Sequence, residues 1–210
     1  MAVTEISEAS KRRGLISLLI TTFFMWAGFF MVIPLMSVYY VDKLGWAAAS
    51  IGLVLAVRQF MQQGLTPISG MLADRLGAKA LILTGVMLRV LGFAAMAWAD
   101  TFPLLLLATV LAALGGSMFD SPRNAAIAAL TNSENRSRFY SLTGVVNNLG
   151  LTIGTQIGAL LLSVSFSLVA LGAALCFMAT FLVTLFMLPP VRVSYREPEE
   201  AAGRMTDGLK

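Results

Sequence analysis

The sequence has few of the residues that carry most enzyme chemistry at neutral pH. It contains no histidine and a single cysteine, Cys176. These absences exclude a cluster of histidine and cysteine ligands for a metal ion, and they exclude a disulfide within the chain. We also find no nucleotide-binding loop, no catalytic triad and no metal-ligand spacing. We therefore expect a protein that is not an enzyme and that holds neither a metal nor another cofactor.

Charge is scarce as well. Only 12% of the 210 residues are charged and 58% are hydrophobic, whereas soluble domains carry about 25% charged residues. A soluble core of this size could not bury so much apolar surface, so the expected solvent is the lipid bilayer. The net charge of +4 does not indicate nucleic acid as a partner, because the basic residues lie between apolar segments rather than in one patch.

What the sequence does contain is a series of six long apolar segments, each of which is long enough to cross a membrane as a helix. The expected helices span about residues 14–40, 48–70, 79–99, 102–130, 139–162 and 168–188. Residues 1–13 form a polar N-terminal tail, and residues 189–210 form either a polar tail or the start of a longer loop. The sequence thus predicts an all-α membrane protein with a six-helix transmembrane bundle over residues 14–188.

Lysine and arginine are distributed unevenly between the two ends of these segments. Twelve of the 15 fall on one side, Lys43 falls on the other, and Arg58 and Arg89 lie inside segments. By the positive-inside rule both termini are cytoplasmic. Segments one to three and four to six then have opposite orientations, which is the plan of an inverted 3+3 repeat.

Polar residues recur along one stripe of the second segment. The stripe consists of Arg58, Gln59, Gln62, Gln63, Thr66 and Ser69. At 100° per residue these side chains share one face, and an arginine near mid-bilayer favours a face on a water-filled cavity or a polar neighbour. In the alternative, the glutamines only form hydrogen bonds with a neighbouring helix.

A second arginine, Arg89, also lies near mid-bilayer. We find no aspartate or glutamate in the central part of any segment, so Arg58 and Arg89 are expected to use backbone carbonyls, glutamines or a group outside this chain. Both are candidates to line a substrate cavity, and Arg58 is the stronger one because of its polar stripe.

The end of the fourth segment places Asp120 three residues before Arg123. At this spacing the two side chains can form a local ion pair. Asp120 could instead reach the polar turn at residues 70–79, or the two residues could simply cap the end of a helix. Upstream, Gly115 and Gly116 permit close approach of another helix.

Two further segments contribute candidates. Gly150, Gly154 and Gly158 of the fifth segment are spaced by four and form a smooth groove for another helix. In the same segment Asn147 and Asn148 either line a cavity or pack against neighbours. In the first segment, the aromatic residues Trp26 and Phe30 either form an adaptable apolar lining or face lipid.

Four stretches resemble the major facilitator superfamily. Gly70-Met-Leu-Ala-Asp74-Arg75-Leu-Gly77-Ala-Lys79 resembles the family signature Gly-x-Leu-Ala-Asp-Arg-x-Gly-Arg-Lys between helices two and three, and departs from it at Ala78. The stretch 150–159 resembles a degenerate antiporter motif, with Thr155 in place of a proline and Ala159 in place of a glycine. The stretches 57–64 and 115–123 are similar to a bacterial multidrug-efflux branch of drug:proton antiporters.

This resemblance implies the first six of the family's twelve helices. The implied function is a secondary active transporter, or its N-terminal half, that exports amphipathic small molecules or drugs by proton antiport in the bacterial inner membrane. Protons and a second six-helix half are the implied partners, besides the bilayer and the small-molecule substrate. Asp74 resembles the residue that caps a helix of the other half, and Asp120 with the basic residues of the 70–79 turn resembles its charge-relay partners. Two other functions stay open: a metabolite uptake carrier, and a six-helix scaffold or fragment without transport activity.

Overall fold

The computed structural model describes residues 8–189, without the side chains of Asp74 and Ser133. Within this range the chain forms six α-helices and no β-strand. The helices are α1 (Glu8–Ser37), α2 (Ala48–Leu76), α3 (Ala78–Met96), α4 (Phe102–Leu130), α5 (Ser133–Leu162) and α6 (Phe166–Met187), and a π-helical turn over Val38–Lys43 extends α1. The all-α fold predicted from the sequence is therefore confirmed.

Five of the six described helices are long and apolar enough to cross a membrane, whereas the sequence predicted six. The exception is α2, although the sequence predicted a span there. Its polar stripe, which includes Arg58 and Gln62, makes it the least apolar candidate. A helix of this kind depends on protein neighbours to cover its polar face.

The polar turn expected at residues 70–79 is almost entirely helical. Helix α2 continues to Leu76 and α3 begins at Ala78, so only Gly77 separates them. Leucine, alanine and methionine in this stretch are good helix formers, whereas Gly77 has φ +86, a conformation that glycine adopts readily and other residues rarely. The charged residues Asp74 and Arg75 therefore lie on the last turns of α2, and Lys79 lies on the first turn of α3.

The polar loop expected at residues 131–138 is also mostly helical. Helix α5 begins at Ser133, and the backbone N–H of Asn132 donates to Oδ1 of Asn135 at 2.8 Å. Polar residues in the first turn of a helix are compatible with helix formation because their side chains satisfy backbone groups that lack an intrahelical partner. Sequence polarity was therefore a poor guide to where this helix starts.

The helices pack in a pattern with an internal symmetry. Helix α1 packs mainly against α5 and α6, α4 packs mainly against α2 and α3, and α3 also packs against α6. Exchanging α1 with α4, α2 with α5 and α3 with α6 maps α1–α5 onto α2–α4 and α1–α6 onto α3–α4, and it maps α3–α6 onto itself. This is the packing that an inverted 3+3 repeat requires.

The α1–α5 contact depends on the glycines spaced by four. A Cβ atom on Gly150 would lie 2.7 Å from the backbone oxygen of Phe23, and one on Gly154 would lie 2.7 Å from Cα of Ala27. At Gly158 it would lie against the backbone of Met31. The backbones of the two helices therefore approach closely along the whole stripe, as small residues allow.

Two cations hold the C-terminal end of α6. Arg13 of α1 donates from Nη2 to the carbonyl oxygen of Phe186 at 2.7 Å, and Lys79 of α3 donates from Nζ to that of Leu185 at 2.8 Å. The last carbonyls of a helix lack intrahelical donors and attract positive charge. We call this end of the bundle, where α1, α3 and α5 begin, the basic end.

The opposite end is held by aromatic and polar contacts. Tyr40 donates from Oη to the carbonyl oxygen of Ala99 at 2.9 Å, and Ser167 donates from Oγ to that of Ala97 at 2.6 Å. The ring of Tyr39 stacks on Phe166 with centroids 4.6 Å apart. These contacts fasten the end of α1 to the start of α6 and to the α3–α4 connection.

Candidate functional site

A cavity of about 300 Å³ opens between α1, α2, α3 and α4. One wall is apolar and consists of Met25, Trp26, Phe29, Phe30 and Phe119. The other wall is polar and consists of Arg58, Gln59, Gln62, Gln63, Arg89 and Asp120. A concave apolar site with a few convergent polar groups is the usual form of a small-molecule site.

Arg58 is oriented by its neighbours on the same helix. It donates from Nη1 to Oε1 of Gln62 at 3.0 Å and from Nη2 to Oε1 of Gln59 at 2.9 Å. Its guanidinium carbon lies 5.0 Å from the centroid of the Phe29 ring, within the range of a cation–π interaction. The glutamines of the stripe therefore fix the direction of a charged group that faces the cavity.

The polar stripe of α2 divides into two parts. Arg58, Gln59, Gln62 and Gln63 line the cavity. Ser69 instead lies in the contact with α4, where its Oγ is 3.5 Å from Oγ of Ser117. The stripe therefore lines the cavity over residues 58–63 and packs against α4 at Ser69.

Arg89 is buried against two aromatic rings. Its side chain is only 5% exposed, and its guanidinium carbon lies 5.7 Å from the Phe29 centroid and 5.5 Å from that of Phe177. A Cβ atom on Gly116 would meet Nη2 of Arg89 and would lie 2.9 Å from Cδ of Gln62. Gly116 therefore leaves the room that this guanidinium occupies, a role that the sequence did not indicate beyond general close packing.

The structure corrects the expectation that no carboxylate accompanies these arginines. Asp120 lies far enough along α4 to line the same cavity as Arg58 and Arg89. It does not form an ion pair with either one, since the only ion pair among the described residues joins Lys11 to Glu8. Asp120 thus shares the cavity with both cations without neutralising either by direct contact.

The local ion pair between Asp120 and Arg123, one of the alternatives that the sequence left open, is not present among the described residues. Arg123 is buried and donates from Nε and Nη2 to Oγ1 of Thr22 on α1, at 3.0 and 2.7 Å. Asp120 is exposed towards the cavity. Side chains three residues apart on a helix differ in direction by about 60°, which allows a pair but does not require one. Here Thr22 of α1 accepts from Arg123, while Asp120 lines the cavity.

The aromatic candidates of α1 lie in the cavity wall. The rings of Trp26 and Phe30 stack with centroids 5.5 Å apart and an angle of 8° between their planes. Asn147 and Asn148 of α5 are not among the residues that line this cavity. Asn148 is exposed, and Oδ1 of Asn147 is buried without a hydrogen-bond partner.

Among the residues of the 70–79 stretch whose side chains the structure describes, none lines the cavity. A Cβ atom on Gly70 would lie 3.2 Å from Oγ of Ser121, so this part of α2 packs on α4 beside Asp120. Arg75 is exposed, and Lys79 donates to the end of α6. The side chain of Asp74 lies outside the part of the chain that the structure describes. The structure thus places the stretch at the basic end of the bundle, where α2 ends and α3 begins.

Known proteins match nearly the whole chain. The family model of the Major Facilitator Superfamily matches residues 18–207. The multidrug resistance protein MdtH of Baumannia cicadellinicola is 41% identical over 99% of this chain and 49% of its own length, and MdtH of Yersinia enterocolitica is 44% identical over 90% and 47%. The chain spans about half the length of the curated relatives it matches. Among solved structures, that of a mutant of the peptide transporter POT has a TM-score of 0.68 at 18% identity, covering 93% of this chain and 44% of the other.

Proposed function

The chain belongs to the Major Facilitator Superfamily, and from that premise we propose that it forms the N-terminal half of a secondary transporter that exports amphipathic small molecules or drugs. The relatives named multidrug resistance proteins support export of drugs, and the family supports transport across the bilayer. We further propose that the membrane is the bacterial inner membrane, with the basic end on the cytoplasmic side.

The observation that carries this proposal is the composition of the cavity. Stacked aromatic side chains and fixed polar groups face the same space of about 300 Å³. An amphipathic molecule needs an apolar surface for one part and hydrogen-bonding or charged groups for the other. The cavity offers both within the part of the bundle that is otherwise apolar.

Alternating access needs a second body against which this one can move. We propose a second six-helix half, in the same polypeptide or in another chain, because the relatives are about twice as long as the matched region. The stretch 70–79 would act as the latch between the halves, with Asp74 capping a helix of the second half. An anion at a helix N-terminus stabilises the contact by roughly 0.3–1 kcal/mol, and breaking it would shift a two-state equilibrium.

Proton antiport requires a group that gains and loses a proton in contact with the cavity. We propose Asp120 for this role, since it is a carboxylate that lines the cavity, and a carboxylate beside cations is a common proton carrier in transporters. Export of a molecule from the cavity would then accompany proton uptake by Asp120 from the other side of the membrane.

The test uses the protein expressed from its natural reading frame and reconstituted into liposomes with an acidic interior. Addition of a fluorescent amphipathic substrate should cause proton efflux together with uptake of the compound, and Asp120→Asn should abolish the proton flux. Substrate movement in the same direction without any proton flux would favour an uptake carrier instead. Proteoliposomes that retain folded protein but move neither substrate nor protons would contradict the transport proposal.

A further inference from the structure

We propose that the cavity selects amphipathic molecules that carry an anionic group over otherwise identical cations. This inference rests on the proposed function, because it names the substrate class of the same cavity. It follows from the charge of the cavity wall, from the unpaired donor atoms in it and from the shape of its apolar side.

The charge of the wall is the first step. Arg58 and Arg89 contribute two positive charges and Asp120 contributes one negative charge. Both guanidinium groups lie against the same ring, that of Phe29. Among the described residues no carboxylate lies within ion-pair distance of either arginine. Charges in a poorly hydrated site interact strongly, so the net positive potential of this wall favours an anion and disfavours a cation.

The second step is the hydrogen-bonding state of these arginines. Nε of Arg58 and Nε of Arg89 are buried without a partner, and Arg89 is only 5% exposed. A buried donor that stays unpaired is costly, and a buried charge without a counter-charge is more so. The planar fork of donors on a guanidinium matches the two oxygens of a carboxylate. A bound anion would supply the counter-charge that both arginines lack within ion-pair distance in the described part of the chain.

A third buried arginine shows what a structural guanidinium looks like in the same bundle. Arg123 is about as buried as Arg89, but Thr22 accepts from both its Nε and its Nη2. The protein therefore supplies acceptors for the arginine that joins α1 to α4, and supplies none for Nε of the two arginines that face the cavity. This contrast separates a ligand-facing role from a packing role.

The apolar wall of the cavity limits the size and shape of the uncharged part of the ligand. The stacked rings of Trp26 and Phe30 add aromatic surface to the cavity that the arginines line. Flat aromatic groups stack well on such a surface, and a cavity of about 300 Å³ lies at the small end of ligand pockets. A ligand with one or two rings and one carboxylate would fit both walls.

The test compares three molecules of the same size and shape that differ in charge: 2-naphthoate, 2-naphthamide and 2-naphthylmethylammonium. Their dissociation constants are measured by titration calorimetry with the purified protein from its natural reading frame. We expect 2-naphthoate to bind at least about tenfold more tightly than the ammonium compound, as a charge-assisted hydrogen bond would give. Equal or tighter binding of the ammonium compound, or no binding of 2-naphthoate, would overturn the inference.

Three variants test whether the preference for the anion arises from the residues of the cavity. Arg58→Gln should weaken 2-naphthoate binding about tenfold and leave 2-naphthamide unchanged. Asp120→Asn should have the opposite effect and tighten 2-naphthoate binding, because it removes a repelling charge. Arg138→Gln, the same charge change on the exposed first part of α5, is the control and should leave all three constants unchanged. If Arg58→Gln does not fold, the direction of the Asp120→Asn effect still decides, and weaker binding of 2-naphthoate to that variant would overturn the inference.

Failure of this inference and failure of the proposed function give different results. Preference for the ammonium compound together with substrate-driven proton flux would overturn only the anion selectivity. Preference for 2-naphthoate without any transport of it would support the selectivity of the cavity and contradict export.

Discussion

Arg123 of α4 donates two hydrogen bonds to the single hydroxyl oxygen of Thr22 of α1, from Nε at 3.0 Å and from Nη2 at 2.7 Å. Helices α1 and α4 otherwise have few contacts, since each packs mainly on other helices. This pair of bonds is therefore a specific polar link across the space between them, deep in the bundle. The threonine oxygen thus accepts from two of the donors of this buried cation, and Oδ1 of Asn124 accepts from Nη1 at 3.4 Å.

Removing that acceptor should destabilise the bundle. Thr22→Val preserves the side-chain shape and leaves two guanidinium donors of Arg123 unpaired, so we expect a loss of about 1–3 kcal/mol. The measurement is thermal unfolding in detergent. Thr84→Val is the matched control, because Thr84 is exposed and its hydroxyl donates only to Ala80 of its own helix. An equal change in both variants would mean that the Thr22 link does not stabilise the fold.

The α1–α5 interface should not tolerate a single added methyl group. In Gly154→Ala the new Cβ would lie 2.7 Å from Cα and 2.8 Å from the carbonyl carbon of Ala27, and backbone atoms cannot move aside as a flexible side chain can. We expect a loss of about 1–3 kcal/mol, as for other overpacked sites, with a lower melting temperature and more aggregate in gel filtration.

Gly144→Ala is the control for this prediction, since nothing lies within 4 Å of a Cβ atom at Gly144 on the same helix. It should be neutral or slightly stabilising because alanine favours a helix more than glycine does. Stability of Gly154→Ala equal to that of the control would contradict the close backbone contact.

We expect Lys79 to stabilise the last turn of α6 against local unfolding. Lys79→Met keeps an apolar chain of similar length but removes the donor to the carbonyl oxygen of Leu185, so the last turn of α6 should fray. Hydrogen exchange of the amides in the last turn of α6 should become several-fold faster. Lys79→Arg retains a donor at this position and should keep most of the protection. Unchanged exchange in Lys79→Met would show that Arg13 alone holds the helix end.

A substitution at Asp74 tests the proposed latch between the two halves. Asp74→Asn keeps the size of the side chain and removes its charge, so it should weaken a contact with a helix N-terminus and reduce the rate of transport, while insertion and the melting temperature of the protein stay unchanged. The measurement is substrate-driven proton flux in proteoliposomes at equal amounts of folded protein. Wild-type flux in Asp74→Asn would contradict the latch.

Part of the fold could be read directly from the sequence. Long apolar runs with almost no charge have one stable form in a bilayer, the helix, because lipid cannot satisfy backbone polar groups. The helix ends were less accurate. Sequence polarity placed a turn at residues 70–79 and a loop at 131–138, whereas backbone preference limited the first break to Gly77 and started α5 at Ser133.

The candidate site could be predicted only in part from the sequence. Residues on one helix face, such as Arg58 and Gln62, are related by a fixed rotation per residue, so their shared face follows from spacing alone. Arg89 contacts Gly116, which lies 27 positions further along the chain. Arg123 contacts Thr22, which lies 101 positions earlier. No periodicity within one segment contains that information.

The sequence by itself determined that the chain is a helical membrane protein, which helix carries the polar stripe and which stretch carries the motif at Gly70–Lys79, because these depend on composition and on the geometry of a single helix. Only the tertiary structure decided that Asp120 lines one cavity with Arg58 and Arg89. It also decided that Arg123 donates to Thr22 rather than pairing with Asp120. The reason is physical: side chains three residues apart on a helix can face different neighbours, and the neighbours are set by how the helices pack against one another.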